Sequence, residues 1–301
     1  MNYSVIIPVY NSAEMLEELV SRLSAVFENL RSSYEIILID DGSKDTSWKT
    51  IEQLKQKFPT TLKGVMLTRN FGQHNATICG MGLAAGEQII TIDDDLQFPP
   101  EEITKLLDCY KKTDADVVYG IPENKKHSPI RNIGSIYMKA TSDDTRGGSS
   151  FRLMKNNICK QVTENHQNNF MFIDTVVTWY TNNIETIPVN HVERKSGQSG
   201  YTFSKLTSLY FSILINYTAY PLKLMTYSGL FFSIITFLIG ARFIFKKLIH
   251  NVPLGYTSII VSILFSTSLI LLCLGVIGQY LFKLYQLQNK KPPYSIQKQI
   301  K

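Results

Sequence analysis

From Leu254 to Phe282 the chain runs for 29 residues without a charged side chain, and from Leu224 to Ala241 for another 18. A bilayer core takes about 20 apolar residues of helix to cross. Both runs therefore predict transmembrane helices, over 224–245 if Arg242 snorkels to the interface, and over 254–282. The short link Lys246 to Pro253 makes them an antiparallel hairpin. Charge is segregated in the same way. All 25 Asp and Glu lie at or before Glu193, against 19 Lys and Arg, whereas the remaining 108 residues carry 12 basic side chains and no acid. The net +6 thus joins an acidic part at −6 to an apolar part at +12. Such a distribution suits anionic lipid and excludes a nucleic-acid partner, since no basic stripe with interleaved aromatics is present in the first part. Lys283, Lys290, Lys291, Lys298 and Lys301 follow the second run while the link holds only Lys246 and Lys247. That bias predicts a multi-pass protein of the cytoplasmic (inner) membrane, with residues 1–204 and a basic tail, 283–301, both in the cytoplasm.

Residues 205–223 precede the hairpin. Lys205, Ser208, Ser212 and Asn216 fall three to four residues apart on one stripe, and Leu, Ile, Phe and Tyr fill the rest. This pattern predicts an amphipathic helix in the membrane interface, ended by Pro221; a buried helix of the first domain is the other reading. The four cysteines, Cys79, Cys109, Cys159 and Cys273, have no CxxC spacing and no neighbouring His, so they read as reduced packing residues and not as a zinc site. No signal peptide is expected, because Tyr3 to Val9 already reads as a strand.

In the first 120 residues, apolar runs alternate with amphipathic ones. Ser4 to Val9, Glu35 to Ile39, Gly64 to Leu67, Gln88 to Ile92 and Asp116 to Tyr119 predict strands; Ala13 to Leu30, Thr46 to Lys57, His74 to Ala85 and Pro100 to Lys111 predict helices. Strict alternation implies an α/β domain with a mostly parallel, Rossmann-like sheet and helices on both faces, its ligands bound beyond the carboxyl ends of the strands. The first strand-to-helix turn, Pro8-Val9-Tyr10-Asn11-Ser12, lacks both GxGxxG and GxxxxGK[ST]. A dinucleotide fold and a P-loop are therefore not expected. From Ile121 to Gly148 the regular pattern weakens into a charged loop.

Asp93-Asp94-Asp95 directly follows the run Ile89 to Ile92. Three carboxylates at the carboxyl end of a strand repel one another unless a cation neutralises them, and oxygen ligands suit Mg²⁺ or Mn²⁺. Such an ion would bridge a diphosphate and stabilise the charge that develops on a leaving group. Capping of the turn before Pro99-Pro100 is the plainer reading, although it needs only one of the three. A second pair, Asp40-Asp41, ends the second strand before Gly42-Ser43. Asp41 or Ser43 can cap the next helix or hydrogen-bond a ribose or base at the same sheet edge.

Taken in order, Ser4-Val5-Ile6-Ile7-Pro8-Val9-Tyr10-Asn11, Asp40-Asp41-Gly42-Ser43, Arg69-Asn70-Phe71-Gly72-Gln73 and Asp93-Asp94-Asp95-Leu96-Gln97 resemble family 2 glycosyltransferases of the dolichyl-phosphate mannose synthase type. Ser150-Phe151-Arg152-Leu153-Met154, Arg194 through Tyr201, Pro221-Leu222-Lys223-Leu224 and the hairpin extend the resemblance over nearly the whole chain, towards the bacterial polyprenyl-phosphate branch. The resemblance implies a GT-A-type fold and single, inverting transfer of a sugar from a nucleotide sugar (UDP favoured, GDP possible) to a polyprenyl phosphate, undecaprenyl or dolichyl, for envelope glycan or lipopolysaccharide modification. It implies that Pro8, Tyr10, Asn11, Asp41 and Ser43 line the nucleotide pocket with Asp94. Asp93 and Asp95 would contact the metal, with Gln97 a further ligand. Arg131 and Ser135 would grip the lipid phosphate, or Arg131 is a solvated surface residue. Arg194 would face a donor or acceptor phosphate, or pair with lipid headgroups. A homo-oligomer formed through the hairpins is also implied.

Two departures stand out. Many relatives carry an acid just before the Phe-Arg pair, where this chain has Ser149-Ser150, and QxxRW, the mark of processive relatives, is missing. Asp174 is then the candidate base if one is used, and otherwise a structural or hydroxyl-binding residue. Two rivals remain: a metal-dependent sugar nucleotidyltransferase, which would need no membrane spans, and a non-catalytic membrane scaffold, against which the intact Asp93 and Asp95 argue.

Overall fold

A computed structural model describes residues 1–123, 148–165, 173–192, 256–288 and 292–301, with isolated helical positions between 224 and 249. It forms two units, residues 1–199 together with 290–301, and residues 200–289.

The first unit opens with β1 (Tyr3–Val9), α1 (Ala13–Asn29), β2 (Tyr34–Asp40), α2 (Ser47–Lys57), β3 (Leu62–Leu67), α3 (Gln73–Leu83) and β4 (Gln88–Thr91). A single turn of 3₁₀ helix (Pro100–Glu102), α4 (Ile103–Thr113) and β5 (Val117–Pro122) follow. These match the alternation read from the sequence to within a few residues at each boundary. After residue 148 come β6 (Arg152–Lys155), α5 (Asn156–Asn165), α6 (Ile173–Val177), β7 (Ile184–Val189) and, from the far end of the chain, β8 (Ile296–Ile300).

Among the described residues eight strands form one sheet in the order β7-β5-β6-β4-β1-β2-β3-β8. β1 pairs in parallel with β2 and β4, β2 with β3, and β5 with β7. β6 runs antiparallel between β4 and β5, and β8 antiparallel along β3. Alternation alone places β5 beside β4; the insertion of β6 separates them and turns the sheet mixed. Side-chain alternation explains why both faces are covered. Val5, Ile7, Ile36 and Leu38 meet Leu19, Leu23 and Phe27 of α1, Ile51 of α2 and Leu106 of α4 in one core. Ile37, Ile39, Val65 and Leu67 face the opposite way onto Ala76 and Cys79 of α3. With every Val, Ile and Leu of β1 and β2 buried, the sheet is the rigid frame from which the loops beyond its carboxyl ends are held.

The basic tail expected over 283–301 does not hang free at its end: its last residues are β8. In the second unit, α7 (Tyr256–Gln288) covers the run expected to span. Ile259, Ile263, Phe265, Ile270, Leu274 and Leu281 on it are exposed. Counting only the described residues, no helix is long and apolar enough to cross a membrane. The expected interfacial helix 205–223 and most of 224–245 lie outside the described residues.

Candidate active site

The carboxyl ends of β1, β2 and β4 bring the predicted motifs to one rim. Pro8 and Val9 end β1, Asp40 ends β2 with Asp41 next to it, and Asp93-Asp94-Asp95 lie just beyond β4. Two tight turns make this possible: Asn11 and Leu96 adopt left-handed backbone angles, with φ of 53° and 57°, directly beyond β1 and inside the acidic turn. The β1 and β2 loops lock together, because the Asn11 amide donates to Ser43 Oγ at 3.0 Å and the Lys44 amide to Asn11 Oδ1 at 2.8 Å. Ser43 in turn donates its own amide to Asp40 Oδ1. Tyr10 stays exposed beside them.

The three carboxylates have separate partners. Asp93 accepts from Gln73 Nε2 at 2.5 Å and from Ser150 Oγ at 2.6 Å. Asp94 accepts from the Tyr10 amide at 3.1 Å and from the Ser12 hydroxyl, so it ties the acidic turn to the β1 loop. Asp95 is buried and accepts from the Gln97 amide at 3.2 Å. Burial pushes the Asp93 carboxyl up to about 6, with Asp95 and Asp94 adding repulsion against the help of Ser150 and Arg152, and raises Asp94 as well. Among the described residues no three His, Cys, Asp or Glu side chains converge to hold an ion by themselves. The donor set present is one of hard carboxylate oxygens, the chemistry that Mg²⁺ or Mn²⁺ prefers.

Asp41 is 3% exposed and turned towards the β3–α3 loop. Its Oδ1 receives the Phe71 amide at 2.7 Å and its Oδ2 the Gly72 amide at 2.8 Å. Burial raises it to about 6 even so, helped by repulsion from Asp40. Gly42, at φ 68°, lets the same loop approach, since a Cβ there would stand 2.6 Å from the Arg69 carbonyl carbon.

A cavity of about 220 Å³ opens beside Asp93. Gln73, His74, Ser149, Ser150, Arg152 and Asp174 are among its lining. Arg152 is 3% exposed and donates from Nη1 to Asp174 Oδ1 at 2.5 Å, and its guanidinium lies 5.7 Å from the centre of the Tyr119 ring. His74 is held neutral, its pKa pushed down to about 4 by burial, against the pull of Asp174. Gly148 is required at the edge of this cavity because any Cβ there would overlap the Asp174 carboxyl.

Asp41, Ser43, Pro8, Tyr10, Asn11, Asp93, Asp94, Asp95 and Gln97 thus gather along the rim, and Asp174, 81 residues beyond Asp93, lines the same cavity. Gln97 bonds onward through its carbonyl, which accepts from the Val192 amide at 2.9 Å. Arg131, Ser135 and Arg194 lie outside the described residues. Sequence reasoning gave no role to Ser12, Gln73, His74, Ser150 or Arg152. Gln73, Ser150 and Arg152 stood inside quoted motifs, but their contacts join segments tens of residues apart, which spacing alone does not disclose.

Residues 4–178 match the family described as glycosyl transferase family 2. The chain is 32% identical to the undecaprenyl-phosphate 4-deoxy-4-formamido-L-arabinose transferase of Shewanella sediminis, over 98% of this chain and 91% of that one. Among solved structures it is similar to glucosyl-3-phosphoglycerate synthase of Mycobacterium tuberculosis, in complex with Mn²⁺, UDP-glucose and phosphoglyceric acid. That likeness has 11% identity, 71% of this chain, 77% of that chain and a TM-score of 0.52. Mannosyl-3-phosphoglycerate synthase of Rubrobacter xylanophilus gives 10%, 71%, 72% and 0.51. At such identities these two structures speak for the fold, a mostly parallel mixed sheet of GT-A type.

Proposed function

The chain belongs to glycosyl transferase family 2 and is a glycosyltransferase, and on that premise we propose that it moves one sugar from a nucleotide sugar to a polyprenyl phosphate, with inversion. The observation that carries the reading is the acidic rim: Asp93 and Asp95 stand beyond β4, beside a cavity of about 220 Å³ able to take a sugar ring. The undecaprenyl-phosphate transferase at 32% identity supports the acceptor class. The exposed apolar face of α7 and the uncharged run 254–282 support a membrane location for the lipid's headgroup to be met, and self-association of that unit.

In this reading Tyr10 and Asn11, with the β2 loop fastened by Asp41 and Ser43, receive the nucleoside. Asp93 and Asp95, with Gln97 nearby, would hold Mg²⁺ or Mn²⁺, and such an ion would supply positive charge to offset what develops on the departing diphosphate. Asp94 keeps the acidic turn against the β1 loop through Ser12. Arg152 and Asp174 present paired polar groups to the sugar hydroxyls, and neutral His74 adds a polar group that brings no charge. A phosphate oxygen of the lipid attacks the anomeric carbon as the bond to the diphosphate oxygen breaks, and its electron pair leaves with the nucleoside diphosphate. The attacking phosphate is already ionised near neutral pH, so positioning and electrostatics do most of the work. Arg131, Ser135 and Arg194 are assigned to the phosphates on sequence grounds alone.

Membranes containing the full chain, incubated with labelled UDP- and GDP-sugars and undecaprenyl phosphate with and without Mn²⁺ or Mg²⁺, test this. A metal-dependent lipid-linked sugar is expected, its mass identifying the donor. Asp95→Ala should abolish it while the protein stays folded. Formation of a sugar nucleotide from a sugar phosphate instead, or full activity in Asp95→Ala, would refute the assignment.

A further inference from the structure

The segment that follows α7 returns to the first unit and joins the sheet on the side of the β3–α3 loop. β8 pairs antiparallel with β3, Gly64 opposite Ile300 and Leu67 opposite Ile296. Ile300 packs where Gly64 has no side chain, since a Cβ on Gly64 would stand 2.9 Å from Ile300 Cγ1. Lys298 reaches α2, with Nζ 2.5 Å from Glu52 Oε1 and 5.6 Å from the centre of the Trp48 ring. Just before β8, the Ser295 carbonyl accepts from the Thr68 amide at 2.9 Å, one residue beyond β3. Tyr294 lies half-buried with Phe71, Leu83 and Ala84 against the cluster of Ile39, Leu67, Ala76 and Cys79.

The loop so contacted is the one whose Phe71 and Gly72 amides hold Asp41. It is therefore fixed from two sides: Asp41 and Gly42 from the end of β2, and Ser295 and Tyr294 from the end of the chain. Gly72 sits at φ 92°, in the left-handed region that glycine adopts without strain, so the loop can turn there. We propose that Tyr294 and Ser295 are positioning residues of the donor site, clamping Thr68 to Gly72 so that the nucleoside diphosphate meets a preformed β2 rim. The ligand class rests on the reading in the preceding subsection. The clamp has a consequence for the chain's organisation: the residues that follow the apolar helix are the ones that steady the donor loop, so the catalytic unit is joined to the apolar unit at both ends of residues 200–289.

The test uses the full chain in detergent, with UDP and GDP as probes in the presence of Mn²⁺. Tyr294→Ala should weaken binding of the preferred nucleotide about tenfold, while Tyr294→Phe, which keeps the ring, stays within about twofold of wild type. Hydrogen–deuterium exchange gives a second readout: amides of residues 68–72 should exchange faster in Tyr294→Ala, with those of β1 unchanged. Should that variant not fold, Tyr294→Leu takes its place in both measurements. Wild-type binding together with unchanged exchange at 68–72 would overturn the clamp, as would a Phe variant as impaired as the Ala variant. If the wild-type chain bound neither nucleotide, the donor reading would fall, and the exchange comparison would still decide whether Tyr294 holds the loop.

Discussion

Asp41 carries a buried carboxyl that costs the fold energy at neutral pH, and Asp41→Asn exposes that cost. Its pKa stands at about 6 in the folded protein against an ordinary 3.8. A group with a raised folded pKa lends stability below the unfolded value and loses it as pH climbs through the folded one. Two units of difference correspond to about 3 kcal/mol at about 1.4 kcal/mol per unit. Asn abolishes the ionisation, but it also turns an amide NH₂ towards the Phe71 or Gly72 amide, a loss of about 1–3 kcal/mol. That second effect does not change with pH. The informative quantity is therefore the trend: relative to wild type, the stability of Asp41→Asn should rise by about 2.5 kcal/mol between about pH 4 and about pH 7.5. For a catalytic domain of this size the melting-temperature difference should move by about 6–10 °C in the variant's favour. Thermal melts of both full-length proteins in one detergent across a buffer series provide the assay. A difference that stays constant over the whole range would refute the claim that a buried, ionised Asp41 opposes folding.

Gly148→Ala should lower kcat/KM for transfer by about tenfold or more, because the new methyl displaces Asp174 from the Arg152 guanidinium, and initial rates with saturating lipid acceptor measure it. Arg152→Met should cost about 3–5 kcal/mol in chemical denaturation by stranding Asp174, and adding Asp174→Leu should recover much of that loss. A chelator should stop transfer and Mn²⁺ or Mg²⁺ restore it, and Mn²⁺ should raise the melting temperature of wild type but not of Asp93→Asn.

The acidic rim could be located from sequence because each of its parts is local. A run such as Ile89 to Ile92 ending in three Asp marks a strand and its exit within seven residues, and the same holds for Ile36 to Asp41. Alternation then fixes that both exits share one edge. The cavity was much less legible. Asp174 pairs with Arg152 across 22 residues, and Ser150 reaches Asp93 across 57. Ser150 carried no local sign that its hydroxyl would serve as a donor to the Asp93 carboxylate.

What the sequence determined by itself was whatever short-range periodicity encodes: the alternating elements of the first 120 residues, the uncharged runs towards the end, and the segregation of acid from base. Those follow from neighbouring side chains sharing a helix face or a strand face. Which strands become neighbours was decided only in three dimensions. β6 enters between β4 and β5, and β8 arrives from the end of the chain to lie along β3. Backbone hydrogen bonds between strands are nearly indifferent to side-chain identity, so the order of strands is chosen by packing of the whole core, in which the five residues Ile296 to Ile300 carry no distinctive local signal.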